Sequence, residues 1–393
     1  MKLCDYIRVV ADNAVSQQRS DGSFPPGCNG PHQDSETPVR NTSHYLVLLC
    51  ELYLQTEDEA YLNSANSAAA YLSSKEARPY GYTFHHRDSN VKDHCNGLIG
   101  QAWTIEAIAK YSNIVDCPEL IKTAEEVFLQ HPFDDRLGLW KRVEINGKVL
   151  CFDSTFNHQL WFASAGALLS TSNDVDPEIN KRISHFLDKI ESQINIDNRG
   201  LIELGAQPPK KMWPYIAIAD QRARMTLVLL AVRIPMRDSD LFRELFIKLT
   251  PFSRLPATSK VAREKKIGYQ SFHLYGFALL KKVYPDHKLW STSWIDRIFT
   301  AIESDTFVDE LEDTIYGYPY NVSGIELAYA LDEFDRGTKL DQEQWLSRQF
   351  KKCWDNEKET FARNNPDPET LTARLYEAAR LSDWDIEISL EDK

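Results

Sequence analysis

Six helix-forming apolar runs each begin just after a short polar or aromatic stretch, and their starting points recur at a nearly constant interval. They begin near Ser43, Gly97, Asn157, Pro214, Tyr269 and Asn321. The interval is roughly 55 residues, which suits one helical hairpin with its loops. A repeat of this kind predicts a closed or stacked array of helix pairs whose starts face one common opening.

The predicted helices alternate between two kinds. Inner helices, apolar on most faces, are expected at 43–55, 97–111, 157–171, 214–232, 269–283 and 321–334. Outer helices, with one charged side, are expected at 58–74, 117–130, 176–193, 238–249, 290–303 and 342–354. Helices at 2–18 and 368–381 flank the series and together can close a ring. The fold predicted is therefore an all-α (α/α)6 toroid, or barrel, of six or seven helical hairpins.

Strand signal is sparse and centres on residues 139–150. That segment alternates around an Asn-Gly turn, which predicts a β-hairpin flap beside the opening. The loops at 19–40, 75–96 and 251–268 are long for compact connections, and loops of that length are often functional. No low-complexity linker interrupts the chain, so we expect one catalytic domain over residues 1–393.

Charge and cysteine content exclude several classes of protein. The net charge of −13 argues against nucleic acid or an anionic membrane surface as a partner. No secretion leader and no long apolar run is evident, so membrane insertion is not expected. The seven cysteines are scattered, without Cys-x-x-Cys or Cys/His zinc spacing. These features predict a cytoplasmic, reduced protein with no metal and no cofactor, and they leave the oligomeric state open.

Two dense polar clusters open successive inner helices. The richer one holds an acid, an imidazole, two amides and an indole within nine residues: Asp153, Asn157, His158, Gln159 and Trp161. Aromatic faces stack on sugar rings, amides bind hydroxyl groups, and a carboxyl group can transfer a proton. The other cluster contains Asp93, His94, Asn96, Gln101 and Trp103. Together they indicate a carbohydrate site.

Single polar residues near the other helix starts add to this set. Arg40 stands out, because a cation at a buried helix start needs a partner or an anionic ligand. The further candidates for sugar binding are Trp213, Arg222, Arg224, His273 and Tyr320.

The motifs around Asp93-His94 and from Asp153 to Phe162 resemble those of the six-hairpin glycosidases. Within that superfamily the chain is similar to the unsaturated glucuronyl hydrolases and to AglQ-like proteins of surface-glycan gene clusters. The hydrolases have one Asp opening an inner helix and a second Asp later, before an Asn and an apolar-aromatic helix. Asp153 and Asn157 match that second motif. The resemblance implies that Asp153 is the general acid and base and that Asp93 assists it. It also implies that Arg222 or Arg224 binds the substrate carboxylate through two hydrogen bonds.

Three functional hypotheses follow. The leading one is a glycoside hydrolase for an acidic or modified oligosaccharide or polysaccharide, with Asp93, Asp153 and His158 as catalytic residues. The second is a polysaccharide lyase or sugar epimerase, in which His158, His94 and Tyr320 transfer protons. The third is a non-catalytic glycan-binding or assembly protein of a polysaccharide biosynthesis pathway.

Overall fold

The computed structural model describes residues 1–206 and 260–390. The described helices are α1 (Leu3–Gln17), α2 (Val39–Thr56), α3 (Glu59–Leu72), α4 (Gly97–Tyr111), α5 (Pro118–Gln130), α6 (Phe156–Leu169), α7 (Pro177–Gln193), α8 (Lys260–Val283), α9 (Ser293–Ile302), α10 (Asp305–Asp313), α11 (Ser323–Glu333), α12 (Lys339–Cys353) and α13 (Pro368–Ala373). Short 3-10 segments cover Gly30–His32, Lys288–Ser291 and Arg374–Arg380. We call α13 and the 3-10 turns after it, residues 368–380, the C-terminal inner segment.

Inner elements form a closed ring in the described part of the chain. Around it α2 contacts α4, α4 contacts α6, α6 contacts α8, and α8 contacts α11. The C-terminal inner segment contacts both α11 and α2 and so completes the circle. The remaining helices pack outside these six elements. This arrangement confirms the (α/α)6 toroid.

The sequence pattern explains which helices lie inside. Nearly every residue of α4 is buried, whereas α7 buries a single stripe: Ile179, Ile183, Phe186, Leu187 and Ile190. That spacing places the buried residues of α7 on one face of the helix and leaves its charged face to solvent. Two outer helices, α3 and α7, are capped by aspartates, since Asp58 and Asp176 accept hydrogen bonds from Ala60 N and Glu178 N.

Several boundaries differ from those expected. The helices at 2–18 and 368–381 were expected to close the ring together, whereas the C-terminal inner segment closes it as an inner element and α1 packs outside it. The loop predicted at 251–268 is wrong for its last residues, because α8 already begins at Lys260. Helix α10 had no counterpart in the prediction. The helices predicted at 214–232 and 238–249 lie outside the described residues.

The predicted flap is present as a small antiparallel sheet of β1 (Phe133–Asp134), β2 (Leu139–Val143) and β3 (Val149–Phe152). The β2–β3 connection contains the expected Asn-Gly turn, with Gly147 at a φ of 82°. The strand β1 was not predicted, because a two-residue strand leaves no periodic signal.

The buried apolar side chains of the described residues form one contiguous core. None of the seven cysteines is in a disulfide bond. Among residues 1–206 and 260–390, no helix has both the length and the apolar character needed to cross a membrane.

Candidate functional site

The two predicted carboxylates meet at the start of α4. Oδ1 of Asp93 accepts a hydrogen bond from the Gly97 amide at 2.9 Å, and Oδ2 of Asp153 accepts one from the Leu98 amide at 3.1 Å. Both acids therefore occupy one helix N-terminus, where exposed N–H groups and the helix dipole favour negative charge. Gly97 has a φ of 60°, and a Cβ there would lie 2.6 Å from Oδ2 of Asp153. Only glycine fits this position.

Asp153 and His158 form a buried pair. Nδ1 of His158 lies 2.8 Å from Oδ2 of Asp153, whose side chain is 6% exposed while that of His158 is 25% exposed. Burial alone would raise the pKa of Asp153, but His158 and then Arg142 outweigh it and hold that pKa well below its usual range. An ionised carboxylate only accepts hydrogen bonds, so Nδ1 carries the hydrogen and Nε2 is left for a substrate.

Asp93 is held between two arginines. Nη2 of Arg87 lies 2.8 Å from its Oδ1, and Nη1 of Arg142 lies 2.6 Å from its Oδ2. Burial works to raise the pKa of Asp93, yet Arg87 and Arg142 together lower it. Neither Asp93 nor Asp153 therefore carries a proton at neutral pH.

The β-hairpin places Arg142 on Asp93. Arg142 lies on β2, and its Nη2 also donates to Sγ of Cys151 on β3 at 2.9 Å. Just after β2, the Glu144 carboxylate accepts hydrogen bonds from the amides of His94 and Cys95. The flap is thus fixed to the start of α4 at two points. Neither Arg142 nor Glu144 was predicted as a site residue, although both lie in the predicted hairpin.

A polar network continues around the opening from Asp93. Nη1 of Arg87 lies 3.3 Å from Oδ2 of Asp34, which also accepts from Nδ2 of Asn29 at 2.9 Å. Oδ1 of Asn29 in turn accepts hydrogen bonds from Arg40 and from the Tyr320 hydroxyl, at 3.1 and 3.0 Å. The network therefore joins the candidates on α4 to those on α2 and before α11.

Arg40 has a protein partner for its charge. Its Nη1 lies 3.0 Å from Oε1 of Glu36, and its guanidinium lies over the Trp103 ring at 4.1 Å from the centroid. Burial raises the pKa of Glu36 despite the opposing effect of Arg40. Oε2 of Glu36 has no hydrogen-bond partner among the described residues. The buried Arg40–Trp103 stack thus lies beside a carboxylate oxygen that has no hydrogen-bond partner among the described residues.

Two of the predicted sugar-binding amides instead support the backbone. Gln101 hydrogen-bonds both backbone groups of Phe84 and the carbonyl of Cys95. Gln159 makes the equivalent bonds to Trp140 and to the carbonyl of Asp153. Both glutamines are 0% exposed. The structure therefore gives them a supporting role that recurs from one repeat to the next.

The remaining predicted residues are placed as follows. Trp161 is buried, stacks on Phe272 with ring centroids 4.5 Å apart, and donates to the carbonyl of Phe272. Asn157 is buried with no partner for its Oδ1 in the described chain, and Asn96 takes a left-handed conformation before α4. His273 stacks on Phe156 at 5.1 Å. Trp213, Arg222 and Arg224 lie outside the described residues.

A group of charged side chains inside the ring was missed by the sequence analysis. Arg374 pairs with Glu326 at 2.5 Å and with Glu377 at 2.7 Å, while Arg380 pairs with Glu106. We call these five residues the inner charge cluster. Burial raises the pKa of Glu377 to about 8 and also raises that of Glu326. The spacing of Arg374, Glu377 and Arg380 at every third residue was the available signal.

Comparison with known proteins identifies the family. Over 385 residues the chain is 38% identical to archaeal glycosylation protein Q of Haloferax volcanii, covering 98% of each protein. No protein-family model matches the chain. D-mannose isomerase matches with a TM-score of 0.61 at 15% identity, covering 96% of each chain. The GH76A α-1,6-mannanase of Salegentibacter sp. HEL1_6 matches with a TM-score of 0.53 at 10% identity, covering 96% of this chain and 98% of the mannanase. The chain therefore belongs to the archaeal glycosylation protein Q family and has the six-hairpin glycosidase fold.

Proposed function

We propose that this protein is a carbohydrate-active enzyme of a surface-glycan pathway that moves a proton on an acidic or modified sugar. The Asp153–His158 pair carries the proposal, because the carboxylate favours the tautomer with hydrogen on Nδ1, in which Nε2 of this partly exposed side chain has the lone pair. The relationship to archaeal glycosylation protein Q supports a glycan substrate.

The proposed reaction is of the epimerase or isomerase type. Nε2 of His158 takes a proton from a carbon next to the carbonyl of an open-chain sugar. The C–H electron pair forms a C=C bond, and the carbonyl oxygen takes up negative charge as an enolate. In an isomerisation, His158 returns the proton to the neighbouring carbon, and the hydroxyl proton moves to the former carbonyl oxygen. In an epimerisation, a solvent proton reaches the opposite face of the same carbon, and the His158 imidazolium releases its own proton to water. Asp153 stabilises the imidazolium that forms in between.

The state of the carboxyl groups favours this reaction over ordinary glycoside hydrolysis. A hydrolase of the common kind needs one protonated carboxyl group to donate to the leaving oxygen. Asp93 is paired with two cations and Asp153 with one imidazole, so each is poised to accept rather than donate. We assign Asp93 to holding Arg87 and Arg142 beside the opening, and Arg40 and Tyr320 to binding sugar oxygens.

Hydrolysis of an unsaturated uronic acid is the second candidate. The juxtaposition of Asp93 and Asp153 at one helix N-terminus supports it, since these are the two acids that the motif resemblance singles out. In that reaction the imidazolium form of His158, held by Asp153, would protonate the sugar double bond, and the neutral imidazole would then activate water.

Solvent deuterium separates the candidates. The protein is incubated in D2O with reducing hexoses and hexuronic acids, and separately with unsaturated uronic oligosaccharides. Deuterium on a carbon of the reducing sugars, seen by NMR, supports the epimerase or isomerase, and His158→Gln should abolish it. His287→Gln is the matched control, because His287 also faces a single carboxylate, Asp188, at 3.7 Å.

The outcomes differ for each hypothesis. Loss of the absorbance of the unsaturated sugar indicates hydrolase, and gain of that absorbance from intact polysaccharide indicates lyase. Glycan binding with neither exchange nor an absorbance change would contradict an enzymatic role and favour a binding or assembly protein.

A further inference from the structure

The long loop between α3 and α4 brings together two histidines and an aspartate outside the proton-transfer pair. The ligand atoms of His85, Asp88 and His94 all lie within 4.8 Å of one another. They are the only such group of three found among residues 1–206 and 260–390. None of them is used in the reaction proposed above.

The His94 ring is oriented as in a metal ligand. Its Nδ1 lies 3.1 Å from the backbone carbonyl oxygen of Arg87. A carbonyl oxygen only accepts, so Nδ1 carries the hydrogen and Nε2 offers a lone pair. Metal-binding histidines usually have their second nitrogen bound in this way, which fixes both the tautomer and the ring direction.

His85 and Asp88 complete the set. Nε2 of His85 lies 2.9 Å from Oδ1 of Asp88, and the His85 and His94 ring centroids are 5.5 Å apart. Nε2 of His85 is nevertheless shielded from solvent and makes no aligned hydrogen bond within the described chain. The two atoms are therefore close together without forming a well-aligned hydrogen bond. This is the arrangement expected when both atoms bind the same metal ion.

Backbone contacts hold the three residues independently of one another. The His85 amide donates to the Ala77 carbonyl at 2.9 Å, and the Asp88 amide donates to the Ser35 carbonyl at 2.8 Å. The His94 amide is bound by Glu144. The cluster is thus anchored to its own loop, to the loop before α2 and to the flap, so its shape does not depend on contacts among the three side chains.

We propose that His85, Asp88 and His94 bind a divalent transition-metal ion. Two imidazole nitrogens and one carboxylate oxygen form a donor set for Zn²⁺, Co²⁺ or Ni²⁺, since Mg²⁺ and Ca²⁺ prefer oxygen ligands alone. Asp88 is 66% exposed, so the remaining coordination positions face solvent. The ion would join the loop segment around Asp88 to the start of α4.

Direct titration with metal tests the site without any assay of activity. Zn²⁺ binding to the full chain is measured by calorimetry under reducing conditions, and Co²⁺ binding by visible absorption. We expect one ion per chain and a rise in the thermal unfolding midpoint with Zn²⁺. His94→Gln, His85→Gln and Asp88→Asn should each weaken binding at least about tenfold. His287→Gln, which removes a histidine paired with one carboxylate, should bind like the parent.

The result that overturns the proposal is specific. No binding by the parent chain, or equal affinity in the parent and in all three variants, would show that this cluster is not the site. If the cysteines bound the metal instead, the parent and all three variants would bind it with equal affinity. Asp88→Asn keeps the test decisive if a histidine variant misfolds, because an exposed Asp88 contributes little to packing.

Discussion

Asp153 and His158 are joined by a 2.8 Å contact between Oδ2 and Nδ1 across the first turn of α6, and the same Oδ2 accepts the Leu98 amide of α4. One carboxylate oxygen therefore sets both the tautomer of the imidazole and the position of a neighbouring helix. Chemistry and architecture depend on the same atom.

Substitution of Asp153 by Asn should remove most of the activity. An Asn side chain cannot stabilise the imidazolium, and general acid–base catalysis contributes about 10²–10⁴-fold to rates. We expect a fall in kcat of that order with a smaller change in KM, measured by the deuterium exchange described above. Asp93→Asn is the comparison. If Asp93 mainly holds two arginines, the Asp93→Asn substitution should lower the thermal unfolding midpoint clearly and kcat only slightly. A larger loss of kcat in Asp93→Asn than in Asp153→Asn would show that the roles of the two acids are reversed.

Gly97→Ala should disturb the contact between Asp153 and His158. The added methyl group would lie 2.6 Å from Oδ2 of Asp153 and 3.0 Å from Nδ1 of His158, at a backbone angle that alanine rarely adopts. Activity and stability should both fall, the latter by about 1–3 kcal/mol. Gly205→Ala is the control, because among residues 1–206 and 260–390 its Cβ would meet only the Ser154 carbonyl oxygen, at an ordinary 3.6 Å. Comparable losses in the two variants would argue against a specific clash.

Buried histidines should make the protein sensitive to mild acid. Burial lowers the pKa of His273 to about 3 and that of His131 to about 4, against about 6.5 in an unfolded chain. Both stay neutral in the folded state while the unfolded state takes up protons, so their contribution is present above pH 6.5 and is lost as the pH falls toward the folded values. His273→Phe should remove about 2 kcal/mol of the stability lost between pH 7 and pH 5. Urea unfolding at both pH values measures this, and an unchanged difference would contradict it.

Arg374 and Glu377 should respond very differently to substitution. One guanidinium faces two buried carboxyl groups, so the pair Glu326 and Glu377 retains a proton. Glu377→Gln keeps the shape and removes a group whose ionisation is costly, and we expect a change within about 1 kcal/mol at neutral pH. Arg374→Met leaves Glu326 and Glu377 buried without their cation and should lower the free energy of unfolding by about 3–5 kcal/mol. Denaturant unfolding measures the free energy of unfolding of both variants, and similar losses in the two would contradict this prediction.

The raised pKa of Glu377 adds a pH dependence with the opposite sign to that of the histidines. A raised folded pKa favours the folded state at low pH, and this contribution is lost as the pH rises through about 8. As the pH rises from 6 to 8, the Glu377→Gln variant should therefore gain stability relative to the parent, and above pH 8 the difference between the two should stay constant. Parallel stability curves from pH 6 to pH 9 would contradict a protonated Glu377.

The repeat period made most of the fold predictable, because each inner helix is apolar on nearly all faces while each outer helix buries one stripe. The C-terminal inner segment was harder to place. Its charged residues, Arg374, Glu377 and Arg380, are typical of a solvent-exposed helix. Its interior position is favourable because buried acids on α4 and α11 pair with the two arginines. Those partners lie far away in sequence.

The carboxylates and His158 were predictable because each lies within a few residues of a helix start. The two cations that hold Asp93 were not predictable, because Arg142 comes from the flap and Arg87 from the loop before α4. Gln101 and Gln159 show the converse. An amide near a helix start is the residue type that binds a sugar, and it is equally the residue type that secures a loop, and composition alone does not separate the two.

The ion pairs across the ring bear on how the chain is made. Glu106 is synthesised early, but its partner Arg380 lies 274 residues later in the chain. Glu326 is likewise synthesised before its partner Arg374. Until the C-terminal inner segment has been made, Glu106 and Glu326 lack these two cations, and burying a charge without its partner is costly. We therefore expect a chain that stops short of Arg374 to keep the centre of its ring hydrated and to complete its folding only after that segment is present.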